Sequence, residues 1–298
     1  MIEGILHEGL IYGIVALGVF ITFRILDFPD LTVDGTFPFG AAIAASSIMA
    51  GAPVPVAMLL ALGGGVLAGL TTAVIHNKLK VPNLLAGILT MTMLYSINIR
   101  VLGGKANVPL LHVTTAFSWV KNLSDRIGIG REYGILLFLL LVVVACIVLL
   151  DLFFHTDMGL AMGAMGDNPQ MVISQGVNPE AMKMIGVGLS NGLVGVAGGL
   201  SAQFQGFADV NLGQGIVVSG LASVMIGEFL ISSNKIGPLL IRVVLGSIVF
   251  KGLMYLGRYY GYYINLTPND LKLITGLLII LSLLLSKLKH KRRRRKSA

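Results

Sequence analysis

Residues 133–152 read YGILLFLLLVVVACIVLLDL, and residues 155–183 read HTDMGLAMGAMGDNPQMVISQGVNPEAMK. The first stretch is apolar nearly end to end and has the length of a membrane-crossing helix, about 20 residues. The second breaks that pattern with helix punctuation. Asn168-Pro169 and Asn178-Pro179 each join a capping side chain to a proline that suits the first helical position. Gly176 between them is a natural C-terminal stop. A membrane span therefore runs into a pair of short helices lying across one face, and a new span starts after Asn178. Gly159, Ala161, Gly163, Ala164 and Gly166 leave such a pair room for close approach. Two readings stay open from these residues alone: an interfacial amphipathic linker, or a surface on which another protein docks.

Outward from this stretch the same apolar pattern recurs. Runs near 5–24, 36–52, 54–76, 83–102, 183–206, 214–231, 236–257 and 270–288 join 133–152 as spans. The chain reads as an all-α integral membrane protein of about 8–10 transmembrane helices. Composition agrees: 55% of the 298 residues are hydrophobic and 12% charged, with a mean hydropathy of +0.86. A soluble domain carries about a quarter charged residues. No stretch has soluble composition for long enough to form a second domain, so one membrane domain is expected over 1–290, with a basic tail over 287–298. The opening residues, MIEGILHEGLIYG, lack the positive region and cleavage site of a signal peptide, so the first run is expected to remain as a span.

Much of the net charge of +8 sits in that tail, at Lys287, Lys289, Lys291, Arg292, Arg293, Arg294, Arg295 and Lys296. Directly after an apolar run, such a cluster reads as a cytoplasmic flank facing anionic lipid rather than a nucleic-acid site. Counting back from a cytoplasmic tail places 153–182 and 76–82 inside and 103–132 outside. The last assignment conflicts with the charge rule, because that segment carries Lys105, Lys121, Arg126 and Arg131. The single cysteine, Cys146, excludes a disulfide framework or a thiolate metal site.

Two segments interrupt the helical pattern in a related way. LDFPDLTVDGTF (26–37) holds Asp30-Leu31-Thr32-Val33 and Gly35; GFADVNLGQGI (206–216) holds Asp209-Val210-Asn211-Leu212, Gly213 and Gly215. The topology puts them on opposite sides. Weak inverted repeats with broken helices are how many transporters build a central path, although two ordinary loops would share these residues equally well. Polar residues inside a membrane are costly and mark pathways. Asp30, Thr32 and Asp34 in the first break, Asp209 and Asn211 in the second, and Thr92, Tyr95 and Asn98 on the fourth span are therefore candidate path residues. Interhelical hydrogen bonding is the competing reading for Tyr95 and Asn98. Glu228 and Arg242 lie equally far from Lys235 on consecutive spans. An ion pair and snorkelling of Arg242 to the interface both fit that placement.

MGLAMGAMGDNPQMVISQGVN resembles the coupling loop of type II ABC importer permeases, the group that includes the branched-chain amino acid and ribose permeases. The matching positions are Gly159, Ala161, Ala164, Asn168, Gly176, Val177 and Asn178. GLIYGIVALGVFITFRILDFPDLTVDGTFPFGAAIAA and VMIGEFLISSNKIGPLLIRVVLGSIVFKGLMYLG are similar to two further parts of that family, so the resemblance covers about residues 9–285. FPDLTVDGTF and VPNLLAGILTMTMLYSINIR look like a subfamily importing tryptophan and tyrosine. The resemblance implies a permease subunit with no chemistry or cofactor of its own in the bacterial cytoplasmic membrane. Its expected partners are a second permease copy, a cytoplasmic ATPase dimer that binds Mg-ATP, and an extracytoplasmic substrate-binding protein or lipoprotein. It also implies that Gly159, Leu160, Ala161, Ala164, Met165, Asn168 and Met171 form the surface that seats in the ATPase. The late hairpin departs from the ribose permeases, having Glu228-Phe229 and Ser232-Ser233-Asn234-Lys235 in place of a glycine-rich turn.

Rival classes fare less well. An ion-coupled secondary transporter suits broken helices but needs carboxylates buried in its spans, and few are present. The five histidines, His7, His76, His112, His155 and His290, fall at scattered spacing, unlike the catalytic constellation of an intramembrane enzyme. No glycine-rich loop ends in Lys-Ser/Thr, so the chain does not bind ATP by that motif. The expected solute is an amino acid, with an aromatic one implied by the subfamily resemblance, and a sugar or nucleoside is the alternative.

Overall fold

A computed structural model describes residues 2–111, 113–231, 233, 235–261, 273, 276, 277 and 280. Its frame is helical. α1 (Ile2–Phe20) continues through a π-helical turn at Ile21–Ile25, and α2 (Val33–Met49), α3 (Val54–Leu79) and α4 (Asn83–Val101) follow. A short strand β1 (Asn107–Pro109) and an amphipathic helix α5 (Ala116–Ile127) precede α6 (Arg131–Phe154). The short helices α7 (Asp157–Asp167) and α8 (Pro169–Ser174) lead to α9 (Pro179–Gln205). Strand β2 (Phe207–Asp209), a 3₁₀ turn (Val210–Gly213), α10 (Ile216–Leu230) and α11 (Ile236–Gly261) complete the described chain. Among the described residues, seven helices are long and apolar enough to cross a membrane. α2 follows the expected span at 36–52 but starts earlier and, at 17 residues, is shorter than α1, α3, α4, α6, α9 and α11. The expected last span (270–288) lies outside the described residues apart from four positions, as does the basic tail.

α9 is the axis of the bundle, and its glycines explain why. Burying apolar surface gives helices no drive to associate in lipid, so close backbone packing over small residues takes its place. Gly65 and Gly69 of α3 lie against the carbonyls of Asn191 and Val187, and Gly195 of α9 lies against that of Ala61. These contacts step in opposite directions along the two helices, so α3 and α9 are antiparallel. α2 runs parallel to α9, since Thr36 meets Asn191 and Gly40, four residues on, lies on Gly195; Gly198 in turn lies on the Phe37 carbonyl. At each of these positions any side chain would overlap backbone. α1 packs antiparallel to α9: His7 meets Phe204 edge-on at 5.7 Å between ring centroids, and Ser190 Oγ donates to Gly18 O at 2.7 Å.

The two ends of the bundle are distinct. Lys78 and Lys80, at the end of α3, reach Glu180 at 3.3 and 3.2 Å, and His76 Nε2 lies 2.8 Å from Lys183 Nζ. Segment 76–82 thus shares an end with α7, α8 and the start of α9, as the charge count expected. At the far end β1 pairs antiparallel with β2, Val108 opposite Ala208, which joins 103–132 to 206–216. Neither this ladder nor α5 was legible as an element in an otherwise helical pattern. α5 buries Phe117, Val120 and Ser124 and caps itself through a reciprocal Thr115–Ser118 box.

Candidate translocation path and coupling site

Both breaks stop inside the bundle. After the π-helical turn the chain reverses at Asp27, a left-handed residue (φ 49°) of a type that tolerates it. The Phe28 amide donates back to Thr22 O at 2.8 Å. α2 then begins at mid-depth: Thr36 meets Asn191 near the middle of α9, and Gly35 packs on Met91 and Leu94 near the middle of α4. α10 likewise begins alongside α1 rather than beyond it: Gly220, one turn into α10, packs on Val19, and Glu228 near its end reaches Arg24 of the π-helical turn.

The first break is dry and fully bonded. Asp30 is completely buried; its Oδ1 accepts from the Thr32 amide at 2.9 Å and its Oδ2 from Asn191 Nδ2 at 2.7 Å. Thr36 Oγ1 donates to Asn191 Oδ1 at 2.7 Å. The hydroxyls of Thr32 and Thr72 lie 2.6 Å apart, and Thr72 donates to Thr90 at 2.9 Å. A buried carboxylate is tolerable when its oxygens are hydrogen-bonded, and this network ties the start of α2 to α3, α4 and α9.

The second break repeats the motif in a wetter setting. Asp209 Oδ1 accepts from the Asn211 amide at 2.7 Å, and Oδ2 from Asn107 Nδ2 at 3.0 Å. Each break therefore has an aspartate that folds its own backbone two residues on and receives an asparagine amide from another element. The two meet through Asp34. Its carboxylate accepts from the amides of Gly215 at 3.0 Å and Val217 at 2.8 Å, holding the free N–H groups at the start of α10. Pro38 has no N–H for the Asp34 carbonyl four residues earlier; Gly213 packs on that carbonyl and on the proline ring, where a side chain would not fit.

The candidate residues from the sequence divide accordingly. Asp30, Thr32 and Asp34 come together with Thr36, Thr72, Thr90 and Asn191, four positions the sequence reading passed over. Asp209 lies at the far end, and Asn211 is exposed there. On α4 the three residues do not share one face. Asn98 is buried, its amide donating to Gly35 O at 3.3 Å, whereas Thr92 and Tyr95 are exposed on the outer side of the monomer. Glu228 and Arg242 do pair, at 3.2 Å, and Arg24 of the π-helical turn reaches the same carboxylate oxygen at 2.9 Å.

α7 and α8 form as the Asn-Pro signals indicate. Asn168 caps α8 through the Met171 amide at 3.2 Å, and Asn178 caps α9 through the amides of Glu180 and Ala181. Of the seven residues expected on the docking surface, Leu160, Asn168 and Met171 are exposed and Ala161 and Ala164 half-buried. Gly159 and Met165 are buried, the glycine against the end of α6. The apolar side chains that project outward are Met158, Leu160, Met171 and Ile173. On the opposite side Gly166 lies directly on the Ile25 carbonyl, and Met162 sits over Gly186 beside Leu26. The short helices therefore touch the first break itself.

A helical membrane bundle with two broken helices meeting at mid-depth, and a short helical pair seated on one of them, is the architecture of a transport permease. The chain belongs to the family described as branched-chain amino acid transport system / permease component, whose model matches residues 1–283. It is 41% identical over 279 residues to a tyrosine transport system permease protein of Clostridioides difficile, covering 94% of this chain and 89% of the relative. It is 26% identical to the ribose import permease protein RbsC of Haemophilus influenzae, over 82% of this chain and 75% of the relative. The solved structure of PsaBC from Streptococcus pneumoniae in complex with Fab shares the fold, with a TM-score of 0.51 at 16% identity, over 93% of this chain and 89% of that one. The chain is the permease component of an ABC-type importer, a multi-pass membrane transport subunit rather than an enzyme.

Proposed function

We propose that this chain lines the path of an ATP-driven importer for an amino acid, with an aromatic one favoured. Two copies form the path, and an ATPase dimer grips α7 and α8 on the cytoplasmic side. An extracytoplasmic binding protein delivers solute at the β1–β2 end. The similarity to the tyrosine permease supports the solute class. The observation that carries the mechanism is the contact of Gly166 with Ile25 and of Met162 with Gly186 and Leu26. A push on the exposed side of α7 is delivered with no intervening loop to the break that holds Asp30. The exposed α4 face with Thr92 and Tyr95 then looks toward the second copy.

Leu160 is 57% exposed and makes the cleanest test, because its side chain projects outward from α7. Leu160→Arg should abolish ATP-dependent tyrosine uptake in cells expressing the complete transporter, with membrane levels of the protein unchanged. Full uptake by this variant refutes the docking role. Uptake that persists without the ATPase and follows a proton gradient would instead indicate an ion-coupled carrier, with Asp30 as its coupling carboxylate.

A further inference from the structure

A cavity of about 570 Å³ opens between the first half of α1, the first turn of α10 and the last turns of α11, at the end of the bundle remote from α7 and α8. Its size falls within the range of about 300–1,000 Å³ usual for small-molecule sites. Glu8 and Tyr12 face it from one wall, one helical turn apart; Lys251, Tyr255 and Arg258 face it from the other, at a spacing that keeps all three on one side of α11. Ser219 of α10 and Gly276 of the expected last span also line it.

The charges in this cavity are not mutually exhausted. Lys251 Nζ sits 3.1 Å from Glu8 Oε2 and 3.2 Å over the Tyr12 ring centroid, so a carboxylate and an aromatic face together neutralise it. Arg258 has no carboxylate within ion-pair distance among the described residues. Its fixed fork of donors suits a ligand carboxylate. The Glu8 side chain is half exposed, and among the described residues its second oxygen has no ion-pair partner, which suits a ligand cation. Two tyrosine rings supply the apolar surface between.

We propose that this cavity is a subsite for a zwitterionic α-amino acid with a bulky apolar or aromatic side chain. Arg258 takes the carboxylate, Glu8 takes the ammonium group, and Tyr12 and Tyr255 take the side chain. The proposal rests on the amino-acid permease reading and adds to it a place within this chain where the solute pauses. The cavity floor is the helix start that Asp34 holds, so an occupant lies one hydrogen-bonded step from the meeting point of the two breaks.

The test places a reporter thiol in the cavity. In the full-length chain carrying Cys146→Ser and Ser219→Cys, purified into lipid nanodiscs, a charged thiol reagent should label Cys at 219, and L-tyrosine should slow the labelling. Tyramine, which lacks the carboxylate, and D-ribose should not. Arg258→Gln and Glu8→Gln should each weaken the protection by about tenfold or more, the factor expected when a charge-assisted hydrogen bond is lost. Absence of labelling, protection by D-ribose equal to that by L-tyrosine, or protection unchanged in Arg258→Gln would each overturn the proposal. ATP-driven tyrosine uptake without any protection removes the subsite and leaves the permease reading standing. Protection without such uptake supports the subsite and removes the ATP-driven reading.

Discussion

The break at 26–32 and the break at 206–215 use one local device in two environments. In each, an aspartate accepts from the amide two residues on, at 2.9 Å in the first and 2.7 Å in the second. In each, its other oxygen accepts from an asparagine, Asn191 or Asn107. The first sits wholly within the bundle, among threonines of α2, α3 and α4; the second sits at the bundle end beside a two-stranded ladder. The same hydrogen bonds therefore have unequal consequences. Water can replace a lost partner of Asp209, and nothing replaces one of Asp30, so the buried group bears the full desolvation penalty. The comparison assigns the rigid hinge to the first break and the adaptable one to the second.

The sharpest way to break that contrast is Asn191→Leu. The variant keeps the volume but leaves Asp30 Oδ2 and the Thr36 hydroxyl without partners. It should lose about 3 kcal/mol or more of stability, the cost of stranding a buried carboxylate oxygen and a hydroxyl. Thermal unfolding in detergent, read by alkylation of the half-buried Cys146 in α6, measures the loss. A transition within a degree of wild type would show that the first break is as wet as the second.

Asp34 joins the two breaks, and its removal should have an intermediate effect. Asp34→Ala frees the amides of Gly215 and Val217 at a helix start, where the loss of a capping carboxylate costs about 1–2 kcal/mol. The same assay should show a smaller shift than for Asn191→Leu. Hydrogen exchange should rise at the first turn of α10 while the start of α2 stays protected. Equal loosening of both helix starts would mean that the breaks form one unit.

The helices were largely legible in the sequence because lipid demands long apolar runs, and the Asn-Pro pairs announced α7 and α8. The polar lattice was only half legible. Asp30, Thr32 and Asp34 stood out as polar residues in a break, but Thr72 and Asn191 lie in Gly/Ala-containing stretches (LAGLTTAV and GLSNGLVG) and Thr90 in an apolar one (AGILTMTM), and no local pattern sets them apart. Their role comes from contacts across 40 and 161 residues of sequence, Thr32 to Thr72 and Asp30 to Asn191, which no local pattern encodes. The pairing of Arg24 with Glu228 escaped notice for the same reason. The burial of two residues expected on the docking surface was not legible, because spacing in a loop does not say which side of a short helix faces the bundle. Gly159 and Met165 look inward, and Met158 and Ile173 look out.

The smallest effect belongs to Asn107, the exposed partner of Asp209. Asn107→Ala removes one side-chain hydrogen bond at 3.0 Å but leaves the ladder intact, because its pairing runs through backbone groups. Solvent can take over the Asp209 oxygen, so the loss should stay within about 0.5 kcal/mol. Set beside Asn191→Leu, this isolates burial as the variable, since both variants delete an asparagine amide from an aspartate in the same turn. A shift as large as that of Asn191→Leu would mean that the bundle end closes over Asp209, and the second break would then be as rigid a hinge as the first.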